Sequence, residues 1–599
     1  MRYLSYLVLL AIPVVFIFAA RSDQAADTQS LSARHAQFTQ LLADEWEYEM
    51  RESPEYATQV GDNRYNDRWS DYSLEHQFQQ GKDAQQWLAR FQAVNTAGFS
   101  EQEKLSAALM IRGLKERIEG INLKTFEMPI DQFNGIHLGL AQVVDSTPFN
   151  SVKDYEDYLS RLHKLPLVFD QIIGLLQHGE KDGLMPPKYL LEKTVDQCKK
   201  LAQPEGEANP FGRPVTKFPD SIPGADRKRL HDAILAAVND QVRPAYTKLA
   251  NFIATDYAPK GRTEPGVWSL PNGDALYRYD IRVLTTTSMD PEQIHEIGLK
   301  EVERIEGEEL AIAKKLGFND LKSFRAELKH DPKVFATSPD GILEKYRGYI
   351  DQMRPELPKL FGLLPKTPVE VQAMQAYRAA DAAGADYQQG TPDGSRHAVV
   401  WVNTSDYKHR EMMTAESTAY HEGIPGHHMQ IAIAQTLPEV PKFRQEAFYS
   451  AYQEGWALYA ERLGKDVGFY QDPYSDFGRL EDEMLRAIRL VTDTGVHYKH
   501  WTRQQMVDFF HEHSSTDEPN VQAETDRYIV WPAQALGYKL GQLEILKLRD
   551  RAKNELGAKF DIRTFHDEVL DAGALPLDVF DQRVNAWIDG QKSAAGGAH

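Results

Sequence analysis

Apolar residues recur at three- and four-residue spacing over 38–51, 101–119, 152–178, 226–255, 291–316, 340–356, 412–435, 443–467, 473–500 and 521–555. That period puts them on one face of an α-helix, so each segment predicts an amphipathic helix. Two starts are marked by a capping side chain and a first-turn proline, Asp290-Pro291 and Asp472-Pro473. Alternating or β-branched runs are short, at 277–287, 368–374 and 398–404, and predict a small sheet beside the helices. The expected class is mostly α. The Pro/Gly-rich stretches 203–224 and 258–273 read as long ordered connections within one scaffold, and no solenoid period repeats. An N-terminal helical half to about Gly261 is followed by a half from residue 262 that carries the candidate chemistry.

Composition narrows the functions available. A chain of 599 residues that is 42% hydrophobic and 26% charged can bury a large core. Its 68 basic and 88 acidic residues leave a net charge of −20, which repels phosphate backbones and excludes the basic stripe of a nucleic-acid binder. Cys198 is the sequence's one cysteine, so there is no intramolecular disulfide and no Cys-x-x-Cys metal site; in its amphipathic setting it reads as a packed thiol. Metal ligands must be His, Asp or Glu. Residues 1–26 combine Arg2, an apolar run from Tyr3 to Ala20 and a polar flank, the pattern of a signal peptide or an uncleaved N-terminal anchor. Export, with the periplasm as destination, is the expectation, and membrane contact follows only if this segment stays attached. The oligomeric state is not legible.

The candidate chemistry lies in His421-Glu422-Gly423-Ile424-Pro425-Gly426-His427-His428. Histidines four apart on a helix face the same way and bind one zinc, but here the spacing is six, a divergence of about 120° on a regular helix. Pro425 has no N–H to donate and Gly426 tolerates unusual backbone angles, so the helix must break between the two histidines. A two-residue insertion at that break swings His427 back beside His421. In an unbroken helix His428, seven residues on, is the better aligned partner, so His427 is the preferred second ligand and His428 the alternative. Catalytic zinc usually has three protein ligands and a water. The helix holding His427 should stop near Pro438, and an antiparallel partner starting near Phe443 sets Glu454 opposite His427, each about thirteen residues from the turn. Among Tyr452, Trp456 and Tyr459, that carboxylate is costly to bury unless paired or metal-bound.

The segments His421–Gln430, Glu454–Tyr459, Asp493–His497 and Pro532–Lys539 resemble the bacterial family called domain of unknown function 885. Pro54–Thr58 with Gly61-Asp62, Leu270–Gly273 and Thr285–Thr287 fit it as well. The likeness covers nearly the whole chain after its N-terminal segment and implies one continuous helical unit over 27–599. That family in turn resembles the zinc-peptidase clan of thermolysin, angiotensin-converting enzyme and the oligopeptidases, which implies a zincin-like helical scaffold. It also implies Zn2+ bound by His421, His427 and Glu454, with Glu422 as the general base that takes a proton from the attacking water. By the same resemblance His497 and Tyr538 hydrogen-bond the developing oxyanion, and Asp493 orients a histidine. The strand 399–404 resembles the edge strand on which such peptidases lay out a substrate. Arg527 and Lys539 are candidates for a substrate carboxylate, against a plain reading as solvated cations.

The other His-Glu pairs, His295-Glu296 and His511-Glu512-His513, lack the spacing and are expected at the surface. Neither a Gly-x-Ser-x-Gly elbow nor a phosphate-cradling or dinucleotide glycine loop occurs, which sets aside common serine hydrolases, P-loop enzymes and dinucleotide oxidoreductases. The expected function is zinc-dependent hydrolysis of peptide bonds in peptides. The alternative is a non-catalytic exported helical protein that binds a metal or a peptide. Glu422 separates the two, because a closed structural zinc site has no use for a free carboxylate beside its ligand.

Overall fold

The periodic segments become helices whose first N–H groups are satisfied by side chains. Ser100 caps helix Glu101–Asn122 while Glu103 returns a bond to its backbone; Ser151 with Asp154 starts Val152–Asp182 in the same way, and Asp290 with Gln293 starts Pro291–Lys315. Asp472 caps Pro473–His497, so both proline starts fall where the sequence puts them. The computed structural model describes residues 30–596 apart from 376–378, 380–382 and 439, and the segment 1–26 lies outside the described residues. Within them no helix is long and apolar enough to cross a membrane.

The protein is mostly helical with one small sheet. Strands β1 (Val369–Ala373), β2 (Ala385–Gln388) and β3 (Ala398–Val402) are ordered β1-β3-β2, with Val400 opposite Val371 in a parallel pair and opposite Tyr387 in an antiparallel one. This corrects the edge-strand expectation for 399–404. β3 is the central strand, with both sides already paired, and β2 is an edge that the sequence reading missed. The run 277–287 also departs from expectation, forming helix Gly273–Thr285 with Tyr277, Ile281 and Thr285 buried four residues apart. Tertiary burial of that stripe overrides the β-propensity of its branched residues.

The site is built from α1 (Ala415–Glu422), α2 (His427–Gln435), α3 (Ser450–Asp466), α4 (Pro473–His497), α5 (Glu518–Val530) and α6 (Leu536–Leu556). The predicted helices 412–435 and 521–555 are each broken, the first at 423–426 and the second where Ala533 takes a φ of 64°. Tyr452, Trp456 and Tyr459 of α3 pack with Ile545 and Leu548 of α6 in a core that also takes in β3 and α1. A separate core lies among the helices of the N-terminal half, where Cys198 is fully buried and its thiol is pushed up to about 12. It is a packing residue, as expected.

Where α3 crosses α6 the backbones touch. A Cβ on Gly455 would fall 2.4 Å from the Cα of Gly541, and one on Gly541 1.8 Å from the carbonyl oxygen of Ala451. Side chains here would force the helices apart and shift Glu454 relative to Tyr538.

Candidate metal centre

The break between α1 and α2 sets the position of the second histidine. The chain doubles over the end of α1: Gly426 N–H donates to the Tyr420 carbonyl at 2.9 Å, and a Cβ on Gly426 would lie 2.0 Å from the carbonyl oxygen of His421. No other residue fits. The Pro425 carbonyl accepts the indole N–H of Trp456 at 2.9 Å, which ties the break to α3. Helix resumes at His427, and its ring stands 4.8 Å from that of His421 with the planes at 88°.

Glu454 on α3 completes the group. Its Oε2 lies 3.3 Å from His427 Nε2 and 3.6 Å from His421 Nε2, and the three ligand-type atoms fall within 4.8 Å of one another. Four-coordinate zinc with bonds of about 2.0–2.1 Å separates neighbouring ligand atoms by roughly 3.4 Å, so this donor set and spacing fit that ion. Burial opposes a charge on His421, but Glu454 and Glu461, with Glu422, overcome it and raise its pKa to about 10. Burial likewise pushes Glu454 up, and His427 and His421 reverse this, holding the carboxyl well below its ordinary range. Two histidines amid three carboxylates make a pocket that favours a divalent cation. Glu422 Oε1 sits 4.0 Å from His421 Nε2, too far to be the atom that closes the group and near enough to reach a water beside it. Burial raises its pKa against the pull of His421 and His427.

His428, the alternative ligand, is turned away. Its Nε2–H donates to the Thr367 carbonyl at 2.9 Å, Nδ1 accepts from the Tyr387 hydroxyl at 3.2 Å, and burial lowers its pKa to about 4. Tyr538 does stand at the group, its ring 6.5 Å from that of His421 with planes at 18°, and its hydroxyl accepts from Arg527 Nη2 at 3.2 Å. His497 corrects the expectation: Val267 N–H donates to its Nδ1 at 3.1 Å and its Nε2–H donates to the Tyr528 carbonyl at 2.9 Å. With both nitrogens bonded to backbone and its pKa driven by burial to about 3, it has no donor left for an oxyanion. Asp493 orients no histidine either, accepting from the Tyr277 hydroxyl at 2.7 Å and Ala533 N–H at 3.0 Å. Lys539 is buried and paired with Glu483 at 2.7 Å and Glu301 at 2.8 Å. His295, expected at the surface, is buried against Thr494.

The residue that orients His421 is Glu461, which sequence reasoning missed. Its Oε1 takes the Nδ1–H at 2.8 Å, which leaves the Nε2 lone pair for a metal. A signal was present, because Glu461 is two helical turns beyond Glu454 and shares its face of α3.

A cavity of about 970 Å³ adjoins the group. It is lined by Asp386, Tyr387 and Gln388 of β2, by Gln430 of α2 and by Gln453, next to Glu454; His421, His427 and Glu454 themselves do not line it. A second set of ligand-type residues, Glu127, His178 and Asp182, already holds the ammonium of Lys124, which bonds Asp182 and lies 3.8 Å from Glu127.

Residues 54–584 match the family described as "Bacterial protein of unknown function (DUF885)". No curated protein matches the chain. Among solved structures, one described as a putative lipoprotein from Colwellia psychrerythraea is similar with a TM-score of 0.88 at 30% identity, over 93% of this chain and 100% of that one. Another, described as a putative lipoprotein of unknown function from Shewanella oneidensis, is similar in fold with a TM-score of 0.67 at 17% identity, over 91% of this chain and 98% of that one.

Proposed function

Because the chain belongs to the bacterial DUF885 family, whose function is unknown, we propose one from the site itself: zinc-dependent hydrolysis of peptide bonds in peptides. The observation that carries this reading is that His421, His427 and Glu454, from three helices, point ligand atoms at one centre with the free carboxylate of Glu422 beside it. A closed structural site has no need of Glu422. The resemblance of the motif to zinc peptidases supports the reading, and with it a zincin-like scaffold.

His421, His427 and Glu454 would hold the ion, which supplies an acidified water and a Lewis acid for the substrate carbonyl. Glu461 fixes the His421 tautomer by accepting its Nδ1–H. Glu422 accepts the proton of the attacking water on Oε1 or Oε2 and passes it to the leaving nitrogen. The Tyr538 hydroxyl, bonded by Arg527, donates to the carbonyl oxygen as charge gathers there. Peptides reach the group through the neighbouring cavity, where neutral amide side chains such as Gln430 and Gln453 suit a peptide backbone. The apolar N-terminal run and the description of the similar structure at 30% identity as a putative lipoprotein support export, to the periplasm, with membrane attachment only through the N-terminal run itself.

Elemental analysis together with mass spectrometry of a digested peptide mixture tests this. About one zinc per chain and cleavage abolished by a chelator are expected. A protein that takes up no zinc, or cuts nothing when loaded, refutes the proposal.

A further inference from the structure

Three arginines crowd one tyrosine beside the group. The guanidinium carbons of Arg489, Arg486 and Arg527 lie 4.4, 5.9 and 6.0 Å from the centre of the Tyr538 ring, whose face is turned to His421. Their carboxylates are shared. Arg486 is paired with Asp482 at 2.9 Å and lies 3.8 Å from Glu461, which also holds His421, while Arg489 and Arg527 divide a single carboxylate, Glu524, at 2.8 and 3.3 Å. Among the described residues Arg489 Nη1 and Arg527 Nε, like Arg486 Nε, are buried without an acceptor. A buried donor left idle costs stability unless an acceptor completes it.

The location is suited to a ligand. The Arg527 guanidinium lies 4.9 Å from the centre of the Phe133 ring, which is 44% exposed and lines the large cavity. Arg527 therefore bridges the cavity wall to Tyr538, and Tyr538 adjoins His421. We propose that Arg527 and Arg489 form an anion subsite beside the metal-binding group that takes a carboxylate of the substrate, from the free C-terminus of a peptide or from an acidic side chain near the cleaved bond. Each of the two guanidiniums keeps one idle nitrogen, and a charge-assisted N–H from either suits a carboxylate oxygen. Naming the occupant a substrate rests on the peptidase reading, whereas the subsite rests on two guanidiniums that divide one carboxylate and on their idle donors.

The test is calorimetric titration of the zinc-loaded Glu422→Gln protein, in which bound peptides are not consumed. The probes are matched tetrapeptides: a neutral free acid, its C-terminal amide, and that amide carrying one Glu or one Gln. A carboxylate should tighten binding by roughly 10- to 100-fold over the neutral amide, the worth of a charge-assisted hydrogen bond, and whichever carboxylate does so identifies the source. Adding Arg527→Gln should erase the preference with zinc content unchanged, and Arg489→Gln serves where the first variant does not fold. The subsite is overturned if carboxylate peptides bind no tighter than the neutral amide, or if the preference survives both substitutions. A parent protein that cuts no peptide yet shows an arginine-dependent carboxylate preference sinks the peptidase reading alone. Hydrolysis indifferent to carboxylates sinks the subsite alone.

Discussion

Replacing Glu461 should weaken zinc binding although Glu461 is not a ligand. Its carboxylate accepts His421 Nδ1–H at 2.8 Å, both side chains are buried, and Arg486 lies 3.8 Å away. Glu461→Gln keeps an acceptor oxygen at that place and loses the charge that makes His421 basic, whereas Glu461→Ala also strands the N–H and frees the ring to turn. Loss of such a supporting partner typically costs about 10- to 100-fold in metal affinity, roughly 1.4–2.7 kcal/mol. The glutamine variant is expected near the lower figure and the alanine variant near the upper. Competition with a chromophoric chelator at fixed pH measures the affinity, and circular dichroism checks the fold. Unchanged zinc affinity in both folded variants would refute the assignment of Glu461 and, with it, the chosen ligand nitrogen of His421.

Gly426→Ala should lose zinc and about 3 kcal/mol of stability, because its Cβ would fall 2.0 Å from the His421 carbonyl oxygen; a chelator titration and a urea melt read the two effects. His427→Ala should empty the site, while His428→Ala keeps zinc and loses roughly 1–3 kcal/mol through its bonds to Thr367 and Tyr387, and the reverse pattern would exchange the ligands. Burial pushes Glu524 up, yet Arg489 and Arg527 hold it down at about 2, so its contribution is present above the unfolded value of 4.5 and is lost as pH falls through about 2. That amounts to roughly 3 kcal/mol, so the gap in urea stability between the parent and Glu524→Gln should narrow from pH 7 to pH 3, and a gap independent of pH contradicts it.

What the sequence made legible was local. Asp290-Pro291 and Asp472-Pro473 announced helix starts because capping and proline geometry act within a few residues. Pro425 and Gly426 announced the break that brings His427 beside His421. Glu454 does meet His427, but not through equal helix arms: α2 ends at Gln435 and α3 begins only at Ser450, after the short helix Lys442–Gln445. What escaped depended on distant packing. His497 was a donor by resemblance to the zinc peptidases, but Val267 and Tyr528, far off in sequence, take both nitrogens. β3 looked like an edge until β2, a short run without strong alternation, covered its second side. Arg486 and Arg489 are spaced like any solvated helix stripe, and α5 and α6 close over them to make that face an interior one.

The account turns on Glu422, which stands beside the proposed metal ligands without closing the group. The most direct measurement compares zinc content and peptide hydrolysis for the parent and Glu422→Gln. The amide has nearly the same size but cannot accept a proton, so the variant should hold the parent's zinc while kcat falls by about 10²- to 10⁴-fold. A variant that keeps both its zinc and the parent's rate, in a preparation free of other proteases, contradicts the mechanism and returns Glu422 to an ordinary position on α1.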